Sequence, residues 1–70
     1  MIQLREKTFS IKAARRRPLN VLNYSDAPGH VAILTHYGER KYVIMSMHTY
    51  TQLLEHLQKY ESLLTAFELQ

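Results

Sequence analysis

The spacing of hydrophobic and polar residues predicts a small α+β domain. We expect a small antiparallel sheet with short N-terminal helices packed on it and a C-terminal helix that projects away. Ile2 and Leu4 alternate with polar neighbours, which predicts a short first strand. Ser10 can cap a helix whose last turn carries the basic run of residues 15–17, where cations favour the helix dipole. Pro18 ends that helix and suits the first turn of another. The buried positions of this second helix would be Leu19, Val21 and Leu22.

Two apolar runs then predict a β-hairpin. They cover His30–Thr35 and Lys41–Met47, and Gly38 between them can supply the positive φ that a tight turn needs. One face of the hairpin would present Val31, Ile33, Val43, Met45 and Met47, and the other Ala32, Leu34, Tyr42 and Ile44. Helices of the same chain can cover one of these faces. The first face is therefore the expected interface with a second copy of the chain.

A long amphipathic helix is predicted from about Met47 to Glu68, with Ser46 as its cap. Its apolar positions recur at spacings of three and four residues, and they are Tyr50, Leu53, Leu57, Tyr60, Leu64 and Phe67. A helix of about 22 residues is ~33 Å long. Because so small a chain cannot cover a stripe of that length, the distal part is expected to contact another helix or a groove on another protein.

Size and composition make a partner chain the simplest source of added stability. The chain has 70 residues, 46% of them apolar, and no cysteine. A domain of this size has a marginal core and usually depends on disulfides, a metal or oligomerisation. Without cysteine, and without an apolar run of the ~18 residues that a membrane span needs, we expect a soluble, cytoplasmic homodimer.

Charge divides the chain into two unlike halves. Residues 1–41 carry eight Lys or Arg against three carboxylates, whereas residues 42–70 carry one lysine against three glutamates. A basic half of this kind is typical of a protein that binds a polyanion, although small basic proteins with merely solvated charges are also common. The cluster of Lys12 with Arg15, Arg16 and Arg17 can contact DNA phosphates or base edges, or simply complement a helix dipole.

Catalytic and metal-binding functions are not indicated. His30, His36, His48 and His56 lack the helical i,i+4 pairing typical of zinc ligands. The two glycines are too few for a phosphate-binding loop, and no carboxylate pair or nucleophile with a histidine partner is apparent. We therefore expect a binding protein that is not an enzyme and needs no cofactor, metal, small-molecule substrate or membrane.

Residues 9–54 contain four short motifs, which are Ala14-Arg15, Val21-Leu22-Asn23, Leu34-Thr35 leading to Gly38, and residues 43–46 followed by Tyr50. In their order and spacing these motifs resemble those of the Phd/YefM antitoxins of type II toxin–antitoxin modules. The resemblance implies a dimeric repressor that binds operator DNA, and a C-terminal segment that binds and neutralises a toxin. His36 stands where relatives commonly carry a more basic residue, which weakens that contact at neutral pH.

The resemblance and the charge pattern together assign candidate sites. The DNA-binding candidates are Lys12, Arg15, Arg16, Arg17, His36, Arg40 and Lys41. The toxin-binding candidates are Leu57, Tyr60, Leu63, Leu64 and Phe67. Residues 1–50 would form the DNA-binding and dimerisation domain, and residues 51–70 the toxin-binding segment. The alternative is a stand-alone dimeric repressor whose last helix only stabilises the dimer.

Overall fold

A computed structural model of the protein describes residues 3–68, with side chains described as far as residue 66. The described part of the chain forms three strands and three helices. In chain order they are β1 (Arg5–Ser10), α1 (Ile11–Arg16), α2 (Pro18–Asp26), β2 (His30–His36), β3 (Glu39–Ile44) and α3 (Met47–Glu68). The prediction of an α+β fold with short N-terminal helices and a long C-terminal helix is confirmed.

The sheet is mixed, so the expectation of a purely antiparallel sheet is wrong. Strand β2 lies in the centre, with β1 parallel to it on one side and β3 antiparallel on the other. Helices α1 and α2 form the connection between the two parallel strands, because parallel neighbours cannot be joined by a tight turn. The first helices thereby pack against the sheet.

Strand β1 begins later than the sequence pattern predicts. Of the two apolar residues in the predicted alternation, Leu4 precedes the strand, and Ile2 lies outside the described residues. The strand itself runs from Arg5 to Ser10 and is mostly polar and exposed, with Phe9 half-buried. Such an edge strand carries little hydrophobic periodicity, and its parallel partner is distant in sequence. The local sequence pattern therefore does not indicate where this strand begins.

The helix boundaries follow from local capping. The Ser10 hydroxyl accepts a hydrogen bond from the Ala13 amide at 3.0 Å, which confirms it as the cap of α1. Pro18 begins α2 as predicted. Of the three predicted buried positions in α2, only Val21 is buried, and the prediction for Leu19 and Leu22 is wrong because one narrow face of this short helix reaches the sheet.

A two-residue turn joins β2 to β3. His36 pairs with Glu39, and the residues between them, Tyr37 and Gly38, have φ values of 51° and 79°. Positive φ at both central positions defines a type I′ turn, whose twist matches that of the flanking strands. The prediction of a positive φ at Gly38 is confirmed. A β-bulge follows, since Leu34 pairs with Tyr42 but Thr35 pairs with Arg40, which leaves Lys41 as the extra residue.

The apolar core is small and centres on β2. Its members are Val21, Val31, Ala32 and Ile33. Three consecutive buried residues in one strand mean that both faces of β2 are covered within a single chain. An ion pair between Glu6 and Arg40 joins β1 to β3 across β2. Glu6 is the register partner of Val31, so this pair lies over the face that carries Val31 and Ile33.

A buried hydrogen bond fastens the start of α3 to the start of β2. The Gly29 amide donates to the hydroxyl of Thr49 at 3.0 Å, and the Thr49 side chain is fully buried. Gly29 has a φ of 79°, and a Cβ there would lie 2.8 Å from the Gln3 carbonyl oxygen. Ser46 caps α3 as predicted, because its hydroxyl accepts from the Thr49 amide at 3.2 Å.

Replacing Thr49 by valine tests this connection. The Thr49→Val variant keeps the side-chain shape but leaves the buried Gly29 amide without its acceptor, which typically costs ~1–3 kcal/mol. Equilibrium urea unfolding should show this loss in the free energy of unfolding. The Thr49→Ser variant keeps the hydroxyl and should retain more stability than the valine variant. Equal stability of wild type and the valine variant would show that the hydrogen bond is unimportant.

Helix α3 extends away from the rest of the chain. The Cα radius of gyration is 15.5 Å, against ~11 Å for a compact domain of this length. The longest dimension is 53 Å and the shortest is 14 Å. Leu53 is half-buried, and every residue from Leu54 to Ala66 is exposed. The helix has the predicted boundaries, it projects away from the sheet, and its apolar stripe is bare in the single chain.

Candidate functional site

A groove lies between α1 and the β2–β3 hairpin, with a volume of about 600 Å³. Its lining residues are Ser10, Ile11, Lys12, Arg15, Arg16, Thr35, His36 and Tyr37. We call this set the basic groove. It brings together four of the seven predicted DNA-binding residues. They come from two segments of the chain that are about twenty positions apart in sequence. Helix α1 supplies three cations, and the end of β2 supplies His36.

The cations of α1 are free to contact an anion. Within residues 3–66, none of the basic side chains at positions 12 and 15–17 forms an ion pair with a carboxylate. Lys12 and Arg16, one helical turn apart, also line a neighbouring depression that contains Arg17 and Asn20. The positive charge therefore continues from the basic groove around the end of α1 to the start of α2.

Arg40 and Lys41 differ from the other DNA-binding candidates because each has an acidic partner. Arg40 pairs with Glu6, and the Lys41 ammonium lies 3.0 Å from a carboxylate oxygen of Glu39. Both pairs are exposed, so each stabilises the fold by little. The carboxylates offset the charge that these residues offer to a polyanion. Neither residue lines the basic groove.

Tyr37 lines the basic groove although it was not among the predicted DNA-binding residues. It occupies the tip of the hairpin, with 93% of its surface exposed, and its ring centroid lies 4.3 Å from that of His36. A positive φ is uncommon for a bulky side chain. The sequence signal was available, because a residue just before the glycine of a two-residue turn is held at the surface.

The predicted toxin-binding residues form an exposed stripe on α3. Leu57, Tyr60, Leu63 and Leu64 are 50%, 57%, 70% and 45% exposed. Phe67, the remaining member, lies outside the residues whose side chains are described. Singly exposed leucines are ordinary, but a contiguous apolar stripe marks an interaction surface. The stripe begins at Tyr50, which is 44% exposed and lies near the start of α3, where the helix extends away from the sheet.

The predicted dimer-interface residues do not share one environment. Ile33 and Val43 are register partners and share a face of the sheet, as predicted. Val31 and Ile33 are each only 3% exposed in a single chain, so the expectation that a second copy is needed to cover them is wrong. Val43 and Met47 are 56% and 72% exposed, and Met45 is half-buried. Met47 was predicted both as the end of the second apolar run and as the start of the long helix, and it lies in α3.

The described part of the chain contains neither a cluster of metal ligands nor a helix suited to cross a membrane. No group of three or more histidines, cysteines or carboxylates there is placed to hold a metal ion. The imidazole Nδ1 of His30 is buried without a hydrogen-bond partner, and its ring packs 4.6 Å from that of Tyr24. Among residues 3–68, helix α3 is too polar to cross a membrane, and the shorter helices do not approach the required length.

No protein-family model matches this chain, and neither a curated protein nor a solved structure does.

Proposed function

We propose that this protein is a DNA-binding antitoxin that acts as a dimer. The observation that carries the proposal is the basic groove, in which Lys12, Arg15 and Arg16 lie beside His36 without carboxylate partners. Arginine binds phosphate and guanine bidentately, and a groove with unpaired cations attracts the DNA backbone. The net charge of +5 in residues 1–41 favours the same ligand.

The exposed stripe of α3 supports the second half of the proposal, which is the binding of a toxin. Amphipathic helices bind hydrophobic grooves through apolar side chains spaced three and four residues apart. Leu57, Tyr60 and Leu64 have this spacing, and the sheet domain covers none of them. Neutralisation would be stoichiometric, because bound α3 blocks or distorts the toxin. Binding of the dimer to operator DNA would repress the antitoxin's own operon.

The proposed dimer is supported by the exposed apolar residues of β3 and the start of α3. Tyr42, Val43 and Met47 are each more than half exposed. Within residues 3–66 only four apolar residues are buried, which gives a single 70-residue chain little stability. We expect sedimentation equilibrium at micromolar concentration to give twice the protomer mass of 8.3 kDa. A folded monomer under these conditions would contradict this part of the proposal.

Two assays on the wild-type protein test the proposed function. The first measures binding to a duplex taken from immediately upstream of its gene, with a scrambled duplex of equal length as control. The second coexpresses the protein with the product of the adjacent gene and measures cell growth. Preferred binding to the upstream duplex together with rescue of growth supports an antitoxin. Binding to that duplex without rescue supports the stand-alone repressor.

A further inference from the structure

The tip of the β2–β3 hairpin presents an aromatic ring to solvent. Tyr37 is 93% exposed, the largest exposure among the large hydrophobic side chains described. Tyrosine usually buries part of its ring, because the ring is apolar although its hydroxyl is polar. The ring of Tyr37 touches that of His36 and contributes nothing to the core around β2.

The backbone at this position favours other residues. Both central residues of a type I′ turn need positive φ, and asparagine, aspartate and glycine are the residues that suit it. Tyr37 adopts a φ of 51° without the local side-chain hydrogen bonds that asparagine can make. A bulky residue held in this region points to a function for its side chain. Folding of the hairpin therefore does not explain the tyrosine.

The position of the ring indicates what it contacts. Tyr37 lines the basic groove together with Lys12, Arg15 and Arg16. Cations that bind the phosphates of a duplex would bring the hairpin tip to the adjacent DNA groove. We propose, on the basis of the proposed function, that Tyr37 enters a groove of duplex DNA and packs its ring against bases there. The phenol would then help to select sequences, because base steps differ in shape and deformability.

A duplex fits these observations better than a single strand does. Proteins that bind single strands stack successive bases on several aromatic side chains along a channel. Within the described residues, the basic groove carries one exposed aromatic contact point, formed by Tyr37 resting on His36. A narrow two-residue turn can enter a duplex groove as a single wedge.

Substitution by asparagine separates folding from DNA contact. Asparagine favours the turn, so the Tyr37→Asn variant should unfold at an equal or higher temperature than wild type. Its affinity for the upstream duplex should fall by about tenfold, the loss typical of one stacked base. The slope of log K against log [salt] should stay unchanged, because no charge is removed. Tyr37→Phe should bind much as wild type does, because it keeps the ring.

A matched control replaces an aromatic ring that lies outside the basic groove and outside the α3 stripe. His48→Asn makes a comparable change near the start of α3, where the side chain is exposed, and should leave DNA affinity unchanged. Wild-type affinity in Tyr37→Asn would overturn the inference and leave the proposed function standing. A wild-type protein that binds no duplex would overturn both. The inference would also be overturned by tighter binding to single strands than to the duplex, or by lower melting temperatures in both Tyr37→Asn and Tyr37→Gly.

Discussion

A protein that lacks the three cations of the basic groove is expected to bind DNA about 100-fold more weakly per protomer at physiological salt. The variant is Lys12→Ala with Arg15→Ala and Arg16→Ala. Each phosphate contact releases counterions, so log K decreases as log [salt] increases. The magnitude of this slope should become smaller by about 0.9 for each cation removed. Fluorescence anisotropy with the upstream duplex, measured across a salt series, gives both quantities.

The fold of this triple variant should be unchanged. The three side chains are solvent-accessible and unpaired in the described structure, and alanine favours helix formation. Lys59→Ala removes one cation from α3, outside the basic groove, and should leave the salt slope as it is in wild type. The single Arg15→Ala variant should weaken the free energy of binding to specific DNA by ~1–3 kcal/mol if Arg15 contacts a base edge. A triple variant within twofold of wild-type affinity would exclude α1 from the DNA-binding surface.

Truncating the apolar stripe of α3 is expected to abolish neutralisation of the toxin. The variant is Tyr60→Ala with Leu64→Ala, two residues that lie one turn apart on the exposed stripe. Aromatic and leucine anchors at an interface typically contribute ~2–4 kcal/mol each, so toxin affinity should fall by at least about 1,000-fold. Coexpression with the adjacent gene product, with growth as the readout, detects a loss of this size.

The opposite face of α3 provides the matched control. Gln58→Ala with Ser62→Ala also shortens two exposed side chains one turn apart, and it should preserve neutralisation. Both double variants should keep the wild-type melting temperature and DNA affinity, because no residue from 54 to 66 is buried in the protomer. If Tyr60→Ala with Leu64→Ala instead dissociates the dimer, the stripe is a dimer contact, and the protein is better described as a stand-alone repressor.

Local signals determined which elements could be predicted. Ser10 and Ser46 cap the helices they were expected to cap, and Pro18 begins α2, because these effects involve neighbours in sequence. The hairpin turn at Gly38 and the boundaries of α3 have the same local origin. The parallel pairing of β1 with β2 joins residues about 25 positions apart, and the polar edge strand gave no periodicity that could reveal it.

Tertiary packing decided the rest of the candidate site. Seven cationic or imidazole side chains were all predicted to bind DNA. In the fold, Lys12, Arg15 and Arg16 line the basic groove without carboxylate partners. Arg40 and Lys41 lie outside it, and each is paired with a carboxylate. Glu6 reaches Arg40 only because β1 lies on the far side of β2. The turn position of Tyr37 indicates only that its side chain is exposed, and its place in the basic groove depends on the packing of the hairpin tip beside α1. Sequence spacing alone cannot show these tertiary arrangements.

We propose that duplex DNA binds the basic groove and that α3 stays available for the toxin. Amide chemical shifts of the isotopically labelled protein, followed during titration with the upstream duplex, decide between these surfaces. We expect shifts in residues 10–17 and 35–38, which surround the basic groove, and none in residues 54–66 of α3. Shifts concentrated on α3, with the basic groove unchanged, would show that this assignment is wrong.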